Sequence, residues 1–388
     1  MSKPKFTHYP LTLIEPSYNS TLTDLIIELE HLRKKQLRGN THPLIFFQLK
    51  NIFHTLESIG SARIEGNNTT IAEYIEAKIN EENHPSAKIK EISNIEQAMS
   101  FVEEVINEYP INRMLVSEIH KKIVNDLGII GQGEGDCTPG AYRTNNVVIA
   151  NASHIPPDHS TVTNYMDELF EFINKKDSPK HDLLKIGIAH HRFVWIHPFS
   201  NGNGRTVRLF TYAMLMKLGF NVSEGRILNP TAIFCNNRDK YYQYLSLADN
   251  GTEEGILSWC EYVLHGLKEE IEKIDKLLDY KYLQKEILLP AINYSIEREY
   301  VTETEAKVLK RASEKQIVQA SDLKDIFPKK AASEISRQIK KLIENKMLIP
   351  VEDKKRKYLI SFDNNYLLRS VIKILKEKGF ISINDKED

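Results

Sequence analysis

Apolar residues recur at helical spacing over much of the chain. Within Val162–Ile173 they stand at i, i+3, i+4, i+7, i+8 and i+11, which places them on one face of a helix. Asp158 or Ser160 can cap this helix, because a side-chain oxygen there accepts from the unpaired N–H groups of the first turn. Similar stripes occur within Leu22–Leu32 and Leu115–Val124. The pattern predicts a mainly α protein.

The stretch between residues 128 and 157 departs from the helical pattern. It is rich in glycine and turn residues, and Val147, Val148 and Ile149 form a short β-branched run ahead of the turn residues Asn151–Ser153. Such a run beside turn residues is typical of a strand. We therefore expect a small β-hairpin here.

A third pattern begins near residue 316, where the elements become short. Ala331–Asn345 predicts an amphipathic helix, and Met347–Val351 and Tyr358–Phe362 predict two strands, an order that resembles a small α+β winged helix-turn-helix domain. Residues 329–357 hold ten Lys or Arg against four acids, an excess of +6. The excess favours phosphate contact, but such domains also bind proteins. A DNA partner and a protein partner for residues 301–388 therefore both stay open.

The length and composition of the whole chain limit the number of domains and the classes of protein to which it can belong. With 388 residues, two or three domains are expected, and the formal charge of -1 argues against a wholly basic nucleic-acid coat. The amino terminus lacks the apolar run of a secretory signal, and no stretch reaches the ~20 apolar residues of a membrane span. Cys137, Cys235 and Cys260 are odd in number and far apart, which favours free thiols. We expect a cytoplasmic protein with no membrane partner.

The segment His197–Arg208, HPFSNGNGRTVR, concentrates the candidate chemistry. Gly202 and Gly204 let the backbone turn so that several N–H groups face one anion, and a following helix N-terminus adds positive potential. Arg205 and Arg208 are three residues apart, so both can face the same polyphosphate. A histidine of ordinary pKa near ~6.5 beside such a nest suits a general base. His197 is the candidate base.

The same segment resembles the Fic motif, H-P-F-x-(D/E)-G-N-G-R-x-x-R, at every fixed position except Asn201. The flanking sequences AHHRFVWI, PGAYR and YYQYLSLAD extend the resemblance over roughly residues 80 to 270. With it we expect an amino-terminal helical region at 1–95, a Fic catalytic core at 96–270, a helical linker at 271–300 and a winged-helix-like domain at 301–388. The resemblance implies a helical Fic fold with the hairpin as a flap.

The resemblance also implies an activity, that of a protein adenylyltransferase. Such an enzyme transfers AMP from ATP to a Ser, Thr or Tyr hydroxyl of a target protein, and the flap at Val147–Ile155 would clamp the target by main-chain pairing. His197 would deprotonate the hydroxyl. The residues implied in ATP binding are Gly202, Asn203, Gly204, Arg205, Arg208, Tyr241, Tyr242 and Asp249.

Asn201 is the departure from the family pattern. The usual carboxylate there holds the Mg²⁺ that bridges the phosphates, whereas an amide oxygen is an uncharged ligand for a hard cation. We expect Mg²⁺ or Mn²⁺ to bind more weakly than it would with a carboxylate at position 201. Either the metal is held chiefly by the ATP phosphates, or the site is adapted to another chemistry such as phosphate transfer or hydrolysis.

An upstream segment, Ser61–Gly66, resembles the family's inhibitory motif, (S/T)-x-x-x-E-(G/N). Glu65 would pair with Arg208 and so occupy the guanidinium that should receive the γ-phosphate. Glu65 could instead orient a water for removal of AMP, which would make the enzyme bifunctional. The sequence leaves both roles open.

A rival function is a DNA-binding regulator in which the Fic core is a degenerate sensor. The basic stretch at 329–357 supports it. Against it, the chain keeps His197, both glycines, Asn203 and both arginines of the motif. Whether the chain forms a homodimer is not encoded in these patterns.

Overall fold

The computed structural model describes most of the chain and divides it into two compact units. The described residues are 6–34, 41–80, 85–128, 133–149, 152–220, 231–235, 237–328, 330–351, 356–363 and 366–381. The first unit comprises Met1–Gln36, Glu57–Thr69 and Asn83–Glu272, and the second comprises Leu37–Leu56, Thr70–Glu82 and Lys273–Asp388. Both units are discontinuous in sequence, so the four consecutive domains expected above stay a prediction.

The regular secondary structure of the described part of the first unit is helical. They are α1 (Thr21–Lys34), the last turns of α2 (Pro43–Ile64), α4 (Ala87–Val105), α5 (Arg113–Ile123), α6 (Val162–Asn174), α7 (Asp182–Ile196), α8 (Asn203–Lys217), α9 (Thr231–Cys235), α10 (Arg238–Ala248) and most of α11 (Glu253–Asp275). Short 3₁₀ turns lie at His159–Thr161 and Pro179–His181. Helix α8 packs against α4, α5 and α7. The mainly α prediction is confirmed.

The core of the first unit lies around α7 and α8. Phe193, Trp195, Phe199, Phe210 and Trp259 are all fully buried there, and large aromatic side chains contribute much of the apolar area that a core removes from water. The predicted helix over Val162–Ile173 is α6. Its expected cap, Asp158, accepts from the backbone of Ser160 and so caps the 3₁₀ turn that leads into α6.

The predicted flap covers residues 147–155. Among its described residues, 147–149 and 152–155, none belongs to a β-strand. Residues 146–149 run without a regular element, and positions 150 and 151, within the expected flap, lie outside the described residues. Elsewhere in the part of the chain that is described, one antiparallel hairpin is present, and it belongs to the second unit.

The second unit contains the first part of α2, α3 (Ile71–Ile79), α12 (Tyr280–Tyr282), a π-helical stretch (Leu283–Leu288), α13 (Leu289–Glu297), α14 (Glu303–Lys315), α15 (Ala332–Glu344), β1 (Leu348–Pro350), β2 (Tyr358–Ile360) and α16 (Tyr366–Glu377), with 3₁₀ turns at Lys276–Leu278 and Ala320–Leu323. Leu348 pairs with Ile360 across the hairpin, and Val318 forms an isolated bridge to Tyr358. The helix and two strands expected over 331–362 are present. The winged-helix assignment stays a prediction.

Across the described residues, no helix combines the length and the apolar character that crossing a membrane requires.

Candidate active site

The turn between α7 and α8 carries the candidate base. Helix α7 ends at Ile196, and His197 adopts a left-handed conformation with φ 53° and ψ 60°. The loop that follows is closed by the side chain of Asn203, whose Oδ1 accepts from the Phe199 N–H at 2.9 Å while its Nδ2 donates to the Phe199 carbonyl at 2.8 Å. Phe199 itself is fully buried. The loop is therefore anchored by its own side chains.

Helix α8 begins at Asn203 after Gly202, whose φ of 72° is in the left-handed region that favours glycine. Gly202 has no side chain to cap the first turn, so the N-terminal N–H groups and the helix dipole favour an anion there. A Cβ on Gly204 would lie 2.1 Å from Glu65 Oε1. The Glu65 carboxylate thus lies against the first turn of α8.

Glu65 also binds Arg208, one turn further along α8. Arg208 Nη2 donates to Glu65 Oε1 at 2.7 Å and to the Ser61 carbonyl at 2.9 Å, and Arg208 Nε donates to Ser61 Oγ at 2.9 Å. Burial raises the pKa of Glu65, but the charges of Arg208 and Arg205 outweigh this effect and hold the pKa below the usual 4.5. Glu65 is therefore an ionised partner of Arg208 at neutral pH.

A cavity of 780 Å³ opens beside the loop. Residues from the loop, the flap and α10 line it: Glu65, Val148, Ile149, Ala152, Ser153, His154, Val194, His197, Arg238, Asp239, Tyr242, Leu245, Ser246 and Asp249. It is large enough for a nucleotide. His197 and Glu65 face the same space.

Burial, together with the nearby charge of Arg143, lowers the pKa of His197 to about 4. The imidazole is therefore neutral across the physiological range. A neutral imidazole can accept a proton, as a general base must.

Residues 110–215 match the model of the Fic/DOC family. This part of the chain is a Fic domain. The protein adenylyltransferase Fic of Drosophila melanogaster is 30% identical over 203 residues, which are 51% of this chain and 37% of the relative. That of Aedes aegypti is 30% identical over 207 residues, 52% of this chain and 37% of the relative. The chain thus spans little more than a third of the length of these relatives.

Solved structures share the fold of the Fic domain. A Fic family protein from Desulfovibrio desulfuricans superposes with a TM-score of 0.54 at 19% identity, covering 91% of this chain and 98% of that one. A Fic domain containing signaling protein from Bacteroides thetaiotaomicron has a TM-score of 0.53 at 19% identity, covering 66% of this chain and 96% of that one. At such identity the likeness concerns the fold alone.

The fold of the first unit brings some of the predicted residues to the cavity and places others behind it. Glu65, His197, Tyr242 and Asp249 line the cavity. Tyr241 is buried, and its hydroxyl lies 3.1 Å from His190 Nε2, in a cluster that also includes Thr211. The role of Tyr241 in ATP binding stays a prediction.

Arg205 does not line the cavity in this conformation and forms hydrogen bonds with Glu91 and Glu134. Its Nη1 donates to Glu91 Oε1 at 2.8 Å, and its Nη2 donates to the Glu134 carbonyl at 2.9 Å. Asn67 Nδ2 donates to the second oxygen of Glu91 at 2.8 Å. In this conformation the guanidinium ties α4 to the start of α8, so a phosphate contact by Arg205 stays a prediction that requires these bonds to open.

The side-chain amide of Asn201 is held by backbone groups in this conformation, and its role as a metal ligand stays a prediction. Its Oδ1 accepts from the Gly202 N–H at 2.7 Å, and its Nδ2 donates to the Gly135 carbonyl at 3.2 Å. Both ends of the amide are thus engaged by backbone. Within the described ranges, no cluster of three His, Cys, Asp or Glu side chains offers an alternative metal site.

Arg143 is a functional residue to which sequence reasoning gave no role, although it lies in the quoted PGAYR segment. Its Nε donates to the His197 carbonyl at 2.9 Å, its Nη1 to the Asn145 carbonyl at 3.0 Å and its Nη2 to the Pro157 carbonyl at 2.6 Å. One guanidinium therefore joins both ends of the flap to the catalytic turn. The carbonyl acceptors leave no signature in the sequence.

His120 was also missed. Its ring stacks on Phe199 with centroids 3.8 Å apart, its Nδ1 accepts from the Gly140 N–H at 2.8 Å, and its Nε2 lies 3.0 Å from the Asn201 carbonyl. Burial lowers its pKa to about 4, so Nε2 carries the single proton and donates it. In the sequence His120 is one polar residue in an apolar stripe, which gives no signal of this role.

Proposed function

We propose that this protein is an adenylyltransferase that transfers AMP from ATP to a hydroxyl side chain of a target protein. One observation carries the proposal: a half-buried, neutral His197 lies at the edge of a nucleotide-sized cavity, next to the uncapped N-terminus of α8. The names of the Drosophila and Aedes relatives support the same reaction.

The reaction follows from these positions. The N-terminus of α8 holds the polyphosphate of ATP through its N–H groups and dipole, and Arg208 receives the terminal phosphate once Glu65 has moved away. His197 takes the proton of the target hydroxyl as that oxygen attacks the α-phosphorus. A new P–O bond forms to the target, the bond to the β-phosphate oxygen breaks, and pyrophosphate leaves with the electron pair.

The target would lie against the flap. Val148 has 78% of its surface exposed at the mouth of the cavity, and Tyr242 on the facing helix α10 is 43% exposed. Exposed apolar side chains at a cavity mouth suit contact with another chain. We infer a protein partner with a Ser, Thr or Tyr side chain that reaches His197.

Glu65 would hold this enzyme in a state of low activity, because its carboxylate fills the anion site and pairs with the arginine that must bind phosphate. Removing the carboxylate frees Arg208, whose charge-assisted hydrogen bond is of the kind worth about 1.5–3 kcal/mol. We therefore expect Glu65→Gly to raise AMP transfer by about 10-fold or more. The measurement is incorporation from α-labelled ATP, read on the enzyme and on candidate target proteins.

Two further variants complete this experiment. His197→Ala in the Glu65→Gly background should lower transfer by about 10²- to 10⁴-fold, the usual contribution of a general base. Glu118→Ala, on the exposed surface of α5, should leave transfer unchanged. Full activity of the His197→Ala protein would overturn the assignment of the base, and equal labelling by native and Glu65→Gly proteins would overturn the brake.

A second reaction, removal of AMP, is favoured by one observation: Glu65 and His197 line the same cavity. Glu65 could orient a water for attack on the phosphorus of a modified target, with AMP and the free hydroxyl as products. The native protein should then release AMP from a modified target faster than the Glu65→Gly protein does. Equal release would exclude this second reaction.

The partner of residues 301–388 remains a proposal. The exposed face of α15 carries Arg337, but Lys330, Lys340 and Lys341 each lie within ion-pair distance of a glutamate, which reduces the local positive potential. We infer a protein partner in preference to DNA. Binding of the full chain to a DNA duplex with an affinity that falls steeply with salt would contradict this inference.

Metal use is the remaining part of the proposal. Because both ends of the Asn201 amide are engaged by backbone, no step above depends on a metal ligand from this residue. We expect Asn201→Asp, measured over a series of Mg²⁺ and Mn²⁺ concentrations, to lower the metal concentration needed for half-maximal transfer. An unchanged metal dependence would show that position 201 does not contact the ion.

A further inference from the structure

The amino-terminal segment ahead of α1 lies on the core of the first unit. Phe6 and Tyr9 pack on Trp195 with ring centroids 5.3 and 5.2 Å away. Arg192 Nη1 donates to the Tyr9 carbonyl at 3.1 Å, and the Arg192 guanidinium lies 4.9 Å from the centre of the Tyr9 ring. The segment is thus held in a defined place by α7.

Tyr9 is the first member of a hydrogen-bonded series that ends at the cavity. Its hydroxyl lies 3.1 Å from His191 Nδ1, and His191 Nε2 lies 3.1 Å from Asp249 Oδ1. A carboxylate only accepts, so Nε2 carries the imidazole proton and Nδ1 accepts from the Tyr9 hydroxyl. His191 has 1% of its side chain exposed, so each of these bonds is made away from bulk water.

The backbone near Asp249 is shaped to admit the Tyr9 ring. Gly251 has φ 66°, and a Cβ there would lie 2.1 Å from Tyr9 Cγ. A residue with a side chain would therefore displace the ring as well as strain the turn. The turn after α10 therefore has the backbone conformation and the space that the Tyr9 ring requires.

Asp249 ends α10 and lines the cavity together with Tyr242 and Ser246. Its side chain is 18% exposed, so it is reachable from the cavity while one oxygen is held from behind by His191. Within a nucleoside, the groups that a carboxylate can accept from are a base amine and the ribose hydroxyls.

We propose that Tyr9 is a positioning residue for the nucleotide site: through His191 it holds the Asp249 carboxylate at the cavity wall, where that carboxylate accepts a hydrogen bond from a donor group of the nucleoside. The inference rests on the proposed function and extends it to a residue outside the Fic domain match. It assigns to the amino-terminal segment a part in nucleotide binding.

The hydroxyl of Tyr9 matters because it fixes the tautomer of His191. Without a donor at Nδ1, the imidazole can carry its proton on Nδ1 and present a lone pair to Asp249, which repels the carboxylate. Asp249 then leaves its position at the cavity wall. Loss of one neutral hydrogen bond is a modest change, so the effect on nucleotide affinity should be modest and specific.

The test is isothermal titration of ATP into full-length protein carrying Glu65→Gly, which frees the phosphate site. Tyr9→Phe should weaken ATP binding about 3- to 10-fold. The matched control is His8→Ala, which removes another hydrogen bond from the same segment, between His8 Nδ1 and Tyr165 Oη at 2.9 Å. This control should bind ATP as tightly as its parent.

A double-mutant cycle separates positioning from a structural role. In an Asp249→Ala background, Tyr9→Phe should have no further effect on ATP affinity, because the group it orients has been removed. Additive losses would overturn the proposal. Thermal unfolding of each variant would show whether it is folded at the temperature of the titration.

Three ATP analogues identify the donor. Inosine triphosphate lacks the base amine, and 2′- or 3′-deoxy-ATP lacks a ribose hydroxyl. The Tyr9→Phe effect should vanish with one of these ligands, and its persistence with all of them would overturn the contact to the nucleoside. Because the readout is binding, a protein that binds ATP but transfers no AMP would contradict only the proposed function, whereas a protein that binds no ATP would contradict both.

Discussion

Two buried arginines, three residues apart on α8, form ion pairs of different kinds. Arg205 meets Glu91, and the two side chains are 1% and 3% exposed. Arg208 meets Glu65, and there the carboxylate is 28% exposed and lines the cavity. The first pair lies wholly inside the protein, while the second has one member at a surface that a ligand can reach.

The difference teaches that charge pairing alone does not identify a regulatory contact. The Glu91 and Arg205 side chains are almost inaccessible to water, so opening their pair leaves Arg205 Nη1 and Glu91 Oε1 buried without that charged partner. Glu65 can leave Arg208 by moving into the open cavity, and an incoming phosphate can replace it. The Arg205 pair therefore belongs to the fold, and the Arg208 pair is the one through which the proposed control of the site would act.

The largest expected effect falls on the buried pair. Glu91→Ala leaves Arg205 without its buried partner and should lower the free energy of unfolding by about 3–5 kcal/mol. Glu134→Ala, which removes a longer contact of 3.4 Å from a carboxylate that is 49% exposed, should cost less than about 1 kcal/mol. Denaturant unfolding of both variants measures these free energies. Equal losses of unfolding free energy for Glu91→Ala and Glu134→Ala would contradict the greater structural weight given to the buried pair.

A smaller effect should appear in the pH dependence of stability, with opposite signs for the two carboxylates. The pKa of Glu65 is held below 4.5 in the folded protein, so its contribution is present above that pH and is lost as the pH falls through the folded value. Burial raises the pKa of Glu91 above 4.5, against the lowering charge of Arg205. Its contribution is present below pH 4.5 and is lost as the pH rises through the folded value.

The glutamine variants measure these signs. As the pH rises from about 3.5 to 6.5, Glu65→Gln should become less stable relative to the native protein, whereas Glu91→Gln should become more stable relative to it. The opposite signs follow from the opposite directions of the two pKa shifts, and denaturant unfolding of each variant and of the native protein at several pH values measures them. If the stability of the two variants relative to the native protein changed with pH in the same direction, the inferred difference between the two ion pairs would be wrong.

The smallest effect concerns the inhibitory turn. Ser61→Ala removes the Oγ acceptor of Arg208 Nε but leaves Glu65 in place, so AMP transfer should rise only about 2- to 5-fold. Ser58→Ala is the matched control, because Ser58 is also buried on α2 and contacts Met99. If Ser61→Ala raised AMP transfer as much as Glu65→Gly does, Ser61 and not Glu65 would be the main group that keeps Arg208 from binding phosphate.

The sequence predicted much of the helical fold and of the catalytic loop. Periodic apolar positions located α1, α5 and α6, and the spacing of glycines and arginines predicted a loop followed by a helix N-terminus. These features are local, so a short window of sequence contains them. The placement of Glu65 beside Arg208 followed from a resemblance, since the two residues are 143 positions apart.

The unpredicted part of the site consists of distant pairs. Glu91 appears in the sequence as one charged residue of an ordinary helix, and the partner that buries it is 114 positions away. Arg143 acts on backbone carbonyls, which every residue possesses, and the contact of Tyr9 with His191 spans 182 positions. Patterns along a chain do not encode such contacts unless the fold is already known.

The left-handed backbone of His197 constrains how this catalytic turn can evolve. Few residues other than glycine tolerate that conformation, but asparagine adopts it more readily than most. A change from His to Asn at position 197 would therefore remove the proton acceptor while leaving the turn and its bonds to Arg143 in place. Under the proposed function, a single substitution would separate an active protein from a chemically silent one that still occupies its partners.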